Sequence, residues 1–230
     1  MTDRAAAWTA LIRGETRGPT AAVLRAGLWW ARWPYGLGVR SRNRAFDAGW
    51  KRVARATVPV ISVGNLTLGG TGKTPCVEYV ARVYRDLGKQ VAILSRGYGA
   101  DSGPNDEALV LEANLPDVPH LQGRDRAALA ATAVDELESE ILVLDDGFQH
   151  RRLHRDLDIV LLDATRPISR EYLFPRGSLR EPVGGLNRAG LAIFTRCDQA
   201  GEAAVNEQRT WLGKRFPNLP TATATHAPVE

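Results

Sequence analysis

A short apolar run followed at once by a glycine-rich loop limits the possible folds of this chain more than any other feature. Residues 58–63 read VPVISV, which is typical of a buried strand, and residues 64–75 read GNLTLGGTGKTP. A strand, such a loop and a helix together form a phosphate-binding loop, in which backbone N–H groups at the helix start meet phosphate oxygens. The general pattern has a glycine five residues before Gly72, where this chain has Thr67, so a simple glycine-rich turn is the alternative.

The residue types in the loop match the parts of a nucleotide site. Gly69, Gly70 and Gly72 free the backbone to turn its N–H groups inward. Lys73 brings a positive charge, and Thr74 offers a hydroxyl group to Mg²⁺. Because the loop follows a buried strand and opens a helix, we favour the phosphate-binding interpretation over the glycine turn.

The rest of the chain alternates apolar strands with helices. After Lys73, apolar residues at helical spacing predict a helix that Gly88 ends. Residues 125–138 predict a second, alanine-rich helix that starts at an acidic residue, and further strands are predicted at 91–95, 141–144, 159–162 and 191–195. Continuous apolar strands separated by helices predict an α/β fold of the P-loop NTPase type, with a mostly parallel sheet covered by helices on both faces.

Composition and cysteine usage indicate an ordinary globular protein. Hydrophobic residues make up 44% of the chain and charged residues 24%, as is usual for soluble domains. Cys76 and Cys197 are far apart and form no C-x-x-C pair, which argues against a disulfide framework and a zinc site and fits a reducing cytoplasm. We expect both cysteines to be small buried residues.

Residues 1–57 form a basic, tryptophan-rich arm, which we separate from a core at 58–230. The arm has eleven Lys and Arg against three acids, a surplus of eight positive charges, and holds five of the six tryptophans. Trp beside Arg is the composition of a membrane interface, so the predicted partner is a membrane surface. Arg25 and Arg32 interrupt the best apolar run, which therefore is too short to span a bilayer.

On a helical wheel, part of this arm is amphipathic. An apolar face carries Val23, Leu24, Gly27, Leu28 and Ala31, while Arg25 and Arg32 lie opposite, and Pro34 is expected to end the helix. Packing of this face on the chain's own domain is as compatible with the periodicity as membrane docking. Nucleic-acid binding is disfavoured, because a Trp-rich, Lys-poor stripe is an unusual way to follow phosphates.

Two adjacent carboxylates, Asp145 and Asp146, end the predicted strand at 141–144. At that position a carboxylate can hold the Mg²⁺ ion that Thr74 also contacts. Adjacent residues on one strand point to opposite faces, so we assign the metal to Asp145 alone. The alternative is a strand-end turn, because Gly147 follows.

A basic loop of unusual composition follows. Residues 148–158 read FQHRRLHRDLD, with two histidines and three arginines between two strands. His150 and His154 have a spacing that can bind zinc on a helix, but no third ligand at a matching spacing accompanies them. We favour a loop that lines an anionic substrate site, with a solvated basic turn as the alternative.

Four segments together resemble the tetraacyldisaccharide 4'-kinase family, the lipid A kinases of Gram-negative bacteria. They are VISVGNLTLGGTGKTP, LSRGYG, DDGFQHRRLHRDLDIVLLDA and LFPRGSLREP, in this order, and the resemblance extends from about residue 20 to about residue 200. It implies transfer of the ATP γ-phosphate to the 4'-hydroxyl of a tetraacylated glucosamine disaccharide. It further implies a location at the cytoplasmic face of the bacterial inner membrane.

The resemblance also implies residue roles. Residues 69–74, including Thr71, would hold ATP and Mg²⁺, with Lys73 acting in catalysis, and Asp145 would be the strand-end metal ligand. The family's GDEP motif aligns with NDEA at 105–108, so Asp106 would help to activate the sugar hydroxyl and Glu107 would lie on the metal side. From composition alone Asp106 and Glu107 form a solvated acidic pair, and Asn105 and Ala108 depart from the motif.

The resemblance implies that family members continue beyond the length of this chain and that a histidine in their later part assists the catalytic aspartate. None of His120, His150, His154 and His226 lies in a matching motif, and TATATH at 221–226 resembles a strand that enters a second lobe, so we expect a C-terminally truncated chain. The rival interpretations are a non-catalytic nucleotide-binding fragment and a membrane-associated P-loop ATPase. ParA-like ATPases carry a lysine just before the glycine pair, where this chain has Leu68.

Overall fold

The computed structural model describes residues 2–97 and 106–225, with the side chains of residues 6–97 and 108–225. Seven strands form one sheet: β1 Val60–Asn65, β2 Val91–Ser95, β3 His120–Gln122, β4 Ile141–Asp145, β5 Leu157–Asp163, β6 Leu191–Thr195 and β7 Thr221–Thr223. The helices are α1 Thr2–Arg13, α2 Pro19–Asp47, α3 Lys73–Asp86, α4 Asp106–Asn114, α5 Arg126–Asp135, α6 Cys197–Ala200 and α7 Glu202–Arg215. Short 3₁₀ turns occupy Ile168–Arg170 and Val183–Arg188.

The sheet order is β3-β2-β4-β1-β5-β6-β7, and every neighbouring pair is parallel. β1 therefore lies at the centre, with β4 on one side and β5 on the other. All carboxyl ends of the strands meet at one edge, where the loops after β1 and β4 also lie. This is the edge at which parallel α/β sheets bind their ligands.

Both faces of the sheet are buried, as the continuous apolar strands predict. One face packs on α3 and α4 through Ile61, Val63, Val77, Ile93, Leu111 and Val143. The other face packs on α5 through Ala130, Leu142 and Leu144, and on α7 through Val160, Leu162, Val205 and Leu212. Each fully buried aliphatic side chain contributes roughly 1.5–3 kcal/mol, so both layers of helices stabilise the sheet. The predicted α/β fold with helices on both faces is confirmed.

The boundaries of the main elements follow their local signals. α3 ends at Asp86, and Gly88 has a φ of 77°, the left-handed conformation expected of a glycine after a helix. Asp125 caps α5, because its carboxylate accepts hydrogen bonds from the N–H groups of Ala127 and Ala128 at 3.1 and 3.2 Å. Strand β5 extends beyond the predicted residues at both ends.

The expectation that Pro34 ends a helix is wrong. α2 continues through Pro34 to Asp47. Pro34 and Trp30 are both exposed, so water can replace the hydrogen bond that the carbonyl oxygen of Trp30 loses within the helix. In the described part of the chain, no helix is both long enough and apolar enough to cross a membrane.

The apolar face predicted for α2 does not pack on the domain. Val23 and Leu24 are exposed, whereas the helix buries Ala21, Gly36 and Phe46 on another side. On the side of the helix opposite these buried residues, an exposed apolar face is formed by Val23, Trp30, Trp33 and Leu37. The division of the chain at residue 57 stays a prediction.

The TATATH segment contributes β7, which extends the core sheet as an edge strand. Thr221 pairs with Ala192 and Thr223 with Phe194. His226 lies outside the described residues.

Candidate functional site

The loop after β1 has the backbone conformation of an anion cradle. Gly69 and Gly72 adopt φ values of 108° and 79°, which favour glycine, and Gly72 immediately precedes the first residue of α3. Asn65, the last residue of β1, donates from Nδ2 to Thr71 Oγ1 at 2.8 Å across the loop. The loop is therefore held open at the start of a helix, where N–H groups can bind an anion.

Thr67 has a structural role at the position where the general pattern has glycine. It forms an antiparallel bridge with Leu179. On either side, Leu68 N–H donates to Ser178 O at 2.8 Å, and Arg180 N–H donates to Leu66 O at 2.7 Å. The segment around Leu179 thus pairs with the start of the loop, and an extended residue suits position 67 better than a flexible glycine.

A cluster of opposite charges lies at the end of the loop. Arg180 Nη1 donates to both carboxylate oxygens of Asp146, at 2.9 and 2.7 Å. Lys73 Nζ is 3.9 Å from Asp146 Oδ1. These three side chains are largely buried, with 15–22% of their surface exposed. Low exposure strengthens such charge interactions relative to those in water.

The two strand-end carboxylates both face the same cavity, which corrects the alternation argument. β4 ends at Asp145, and Asp146 is a turn residue with a φ of 51°. Because Asp146 lies outside the strand, strand alternation does not send it to the opposite face. Asp145 is in register with Val63 on β1, next to the loop. Asp146 gives both oxygens to Arg180, and the assignment of a metal ion to Asp145 stays a prediction.

A cavity of about 370 Å³ joins the loop to these charges. Its wall includes Gly69, Gly70, Lys73, Asp145, Asp146 and Arg180, and on the far side Ser95, His120, Ala108 and Leu111. Ala108 and Leu111 belong to α4, whose first residues are Asp106 and Glu107. The side chains of Asp106 and Glu107 lie outside the described residues, so their predicted roles stay predictions.

A second cavity, of about 390 Å³, is strongly basic. It shares Arg96, Asp146 and Arg180 with the first cavity, and its wall also includes Arg42, Lys51, Arg124, Arg126, His150 and Arg152. Burial, together with the positive charges of the neighbouring Arg126 and Arg155, lowers the pKa of His150 to about 4. His150 is therefore neutral at pH 7. The prediction that the basic loop lines an anion site fits this arrangement.

The zinc alternative gains no support. Among the residues that the structure describes, no group of three or more His, Cys, Asp or Glu side chains could hold a metal ion. His154 Nε2 instead lies 3.6 Å from Asp156 Oδ1. Both cysteines are free thiols of intermediate exposure, and burial raises the pKa of Cys76 to about 11.

Behind the charge cluster, a buried carboxylate links the arm to the core. Glu181 is 1% exposed, and its oxygens accept hydrogen bonds from Arg188 Nη2 at 3.1 and 2.9 Å. Asn43 of α2 donates to the same carboxylate at 3.0 Å, and Gln149 donates to it at 3.1 Å. Tyr35 of α2 adds a hydrogen bond to Arg180 O at 2.7 Å. The C-terminal half of α2 is therefore part of the support of the site.

Reasoning from the sequence did not assign a role to several of these residues. Arg180 and Glu181 stand in the segment LFPRGSLREP, which carries the family resemblance, yet most of their partners are distant in sequence. Thr195, which ends a predicted strand, and Arg196, which follows it, were also missed; they donate hydrogen bonds to Thr71 O and Gly70 O of the loop at 3.0 and 2.9 Å. Their signal is a polar pair at the carboxyl end of a parallel strand, the same signal that identified Asp145.

Comparisons with known proteins identify the family. A family model described as tetraacyldisaccharide-1-P 4'-kinase (LpxK) matches residues 24–229. A tetraacyldisaccharide 4'-kinase of Anaeromyxobacter sp. (strain Fw109-5) is 43% identical over 94% of this chain and 63% of its own length. One of Geobacter sulfurreducens is 41% identical over 86% of this chain and 62% of its own. The chain thus spans less than two thirds of the length of these relatives.

A solved structure shows the same similarity in three dimensions. The crystal structure of LpxK from Aquifex aeolicus in complex with ATP is 28% identical and has a TM-score of 0.72. The match covers 90% of this chain and 86% of that one. By its sequence and its fold, the chain belongs to the tetraacyldisaccharide 4'-kinase family.

Proposed function

We propose that this chain carries the ATP site of a lipid kinase, which transfers the γ-phosphate of ATP to the 4'-hydroxyl of a tetraacylated glucosamine disaccharide. The observation that carries the proposal is the convergence of the loop, Lys73, Asp145, Asp146 and Arg180 on one cavity. The names of the family and of its relatives support the choice of acceptor. The ATP in the Aquifex aeolicus structure supports the choice of donor.

The chain's own groups suit the donor nucleotide. N–H groups of the loop would bind the phosphates, and Lys73 would offset the charge that develops on the transferred group. Arg180 holds Asp146 in place beside Lys73. The site thus acts by positioning and charge stabilisation rather than through a covalent intermediate.

The donor atoms also suit Mg²⁺. Thr74 lies in the first turn of α3, Asp145 ends β4 in register with Val63, and hydroxyl and carboxylate oxygens are the ligands that this ion prefers. Thr74 and Asp145 would hold the ion, with Glu107 nearby. When bound, Mg²⁺ would neutralise negative charge on the phosphate oxygens.

The acceptor is assigned to the side of the cavity next to α4. Asp106 begins this helix, and Ala108, two residues later, lines the cavity. We assign to Asp106 the deprotonation or orientation of the sugar hydroxyl. The basic second cavity adjoins this region and suits an anionic acceptor.

The exposed face of α2 supports docking on a membrane. Trp30, Trp33 and Leu37 are 69%, 52% and 65% exposed. Indole rings and apolar side chains partition to the membrane interface, and positive charges of residues 1–57 other than Arg42 and Lys51, which line the second cavity, would meet anionic headgroups. We place the protein at the cytoplasmic face of the bacterial inner membrane, where ATP is available.

The test is phosphoryl transfer by the 230-residue chain in detergent micelles. Labelled ATP, Mg²⁺ and tetraacyldisaccharide 1-phosphate are expected to yield a bisphosphorylated lipid, whereas the 4'-deoxy analogue yields none. Asp106→Asn should lower the rate while nucleotide binding is kept. ATP binding without transfer to the acceptor would contradict kinase activity of this chain and favour a nucleotide-binding fragment.

A further inference from the structure

The segment Thr195-Arg196-Cys197-Asp198 lies on the opposite side of the loop from the charge cluster. In the sheet, β4 and β2 flank β1 on one side, and β5 and β6 flank it on the other. The first cavity, with Asp145 and Ser95, lies at the ends of β4 and β2. Thr195 ends β6 on the other side.

Two side chains of this segment bind the back of the loop. Thr195 Oγ1 donates to Thr71 O at 3.0 Å, and Arg196 Nη2 donates to Gly70 O at 2.9 Å. Arg196 Nη1 also donates to Asp163 Oδ2 at 2.7 Å, and that carboxylate is 5% exposed. Arg196 has a φ of 55°, which is uncommon for a residue with a side chain. The end of β6 is thus fixed to the loop that would hold the phosphates.

The direction of a bound nucleotide follows from these positions. The γ-phosphate must lie next to Lys73, Asp146 and the acceptor, on the β4 side. In a nucleotide bound in this way the phosphate chain would cross the loop, and the nucleoside would extend towards the β5 and β6 side. Two strand spacings separate β1 from β6, about 10 Å, which is a distance that a ribose and a base can span.

On the β6 side the chain has a carboxylate shortly after the end of β6 in the sequence. Asp198 lies in the first turn of α6, two residues after Arg196, and its side chain is exposed. A carboxylate only accepts hydrogen bonds. Guanine presents two adjacent donors on one edge, N1–H and the 2-amino group, whereas adenine presents the 6-amino group beside N1, which is itself an acceptor.

We propose that Asp198 reads the base of the phosphate donor and that it accepts guanine at least as well as adenine. Guanine can form two charge-assisted hydrogen bonds with the two carboxylate oxygens, and adenine only one. This inference rests on the proposed nucleotide site and adds to it the recognition of the base. It predicts that GTP binds and that the identity of residue 198 sets the ratio of GTP to ATP affinity.

The Asp198→Asn variant reverses part of the hydrogen-bonding pattern at almost constant size. Its amide oxygen can still accept from the 6-amino group of adenine, and its NH₂ can donate to adenine N1. When guanine is bound, the same NH₂ group lies opposite a donor of the base, and no hydrogen bond can form there. The amide should also accept xanthine, whose 2-oxo group the carboxylate repels.

The experiment measures dissociation constants of fluorescent ATP, GTP and xanthosine triphosphate analogues in Mg²⁺ buffer, on the whole chain. Asp198→Asn should weaken GTP binding about tenfold, which equals about 1.4 kcal/mol, and strengthen xanthosine triphosphate binding, while ATP changes less than about threefold. The control is Asp135→Asn, an exposed aspartate at the end of α5 on the opposite edge of the sheet. It should leave all three constants unchanged.

The outcomes separate the two proposals. If the wild-type chain binds ATP and Asp198→Asn shifts the GTP to ATP ratio by less than about threefold, base reading by Asp198 is wrong and the nucleotide site stands. If the wild-type chain binds neither nucleotide, the nucleotide site and the base-reading inference are both wrong. Circular dichroism of Asp198→Asn checks that the variant is folded.

Discussion

Arg180 Nη1 donates hydrogen bonds to both carboxylate oxygens of Asp146, at 2.9 and 2.7 Å. Lys73 Nζ lies 3.9 Å from the same carboxylate. Asp146 is thus paired with two cations at the end of the loop. Because Arg180 takes up part of the negative charge of Asp146, Asp146 attracts Lys73 less strongly. Lys73 can therefore turn to a phosphate group without leaving an unpaired buried carboxylate behind.

Loss of Arg180 should slow phosphoryl transfer more than it weakens nucleotide binding. In Arg180→Gln, Asp146 keeps only Lys73 as its cation and holds it away from the phosphate. We expect the rate of transfer to fall about 100-fold. Single-turnover transfer and ATP affinity are measured side by side, with the exposed Arg209→Gln on α7 as the control. A rate within about threefold of wild type would show that Arg180 does not position Asp146.

The buried carboxylate of Glu181 should stabilise the folded chain. Its side chain is 2% exposed and that of Arg188 is 20% exposed, so Glu181→Gln leaves a guanidinium group without its counter-charge. We expect the free energy of unfolding to fall by about 2–3 kcal/mol, as measured by urea denaturation.

Glu207→Gln is the matched control for Glu181→Gln. Glu207 pairs with Arg170 at the surface, where the two side chains are 64% and 72% exposed, and such pairs contribute little. Equal effects of the two substitutions would contradict a special role of the buried network.

His150 should make the stability depend on pH on the acidic side. Burial and the nearby arginine charges lower its pKa from 6.5 to about 4 in the folded chain, so the unfolded chain binds the proton more readily. Protonation therefore favours unfolding, and the free energy of unfolding should fall as the pH drops from about 6.5 to about 4. Because His150 is only half-buried, we expect His150→Gln to remove about 1–2 kcal/mol of this fall.

The measurement for His150 is a series of urea unfolding curves at several pH values. His154→Gln changes the same residue type in the same loop and serves as the control. A His150→Gln variant whose stability falls with acid as steeply as that of the wild-type chain would contradict the assignment.

The exposed face of α2 should bind anionic membranes. Trp30→Ala with Trp33→Ala removes two large exposed side chains, each able to contribute roughly 1.5–3 kcal/mol when it leaves water. We expect the fraction of the whole chain that floats with phosphatidylglycerol-containing vesicles to drop at least about tenfold. Tyr79→Ala, an equally exposed aromatic residue on α3, is the control. Flotation that survives the double substitution would exclude this face as the docking surface.

Periodicity and local signals predicted most of the sheet and the helices next to the site. The strands at 91–95 and 191–195 were predicted at their observed bounds, because both are short apolar runs between turn signals. The three-residue strand β3 was missed, since His120 and Gln122 carry no apolar pattern. The end of α2 was misplaced because Pro34 lies on the solvent side. There, water can bind the carbonyl oxygen of Trp30, which has no N–H partner at Pro34.

The site was only partly accessible from the sequence. Lys73, Thr74 and Asp145 stand in local motifs whose chemistry can be inferred from spacing. Arg180 and Asp146 are 34 positions apart in the sequence, and Asn43 and Glu181 are 138 positions apart. Such pairs are set by the packing of distant segments, which no local pattern records. Asp146 was placed on the wrong face because its left-handed φ, which takes it out of the strand, was not apparent from the Asp-Asp-Gly sequence.

The most direct test of the central claim is transfer of the labelled γ-phosphate from ATP to tetraacyldisaccharide 1-phosphate by Lys73→Ala. The control is Lys89→Ala, whose exposed lysine pairs with Glu140 away from the loop. We predict that Lys73→Ala lowers the rate at least about 1000-fold, while Lys89→Ala keeps the wild-type rate. Undiminished transfer by Lys73→Ala would contradict the assignment of this loop as the phosphate-donor site.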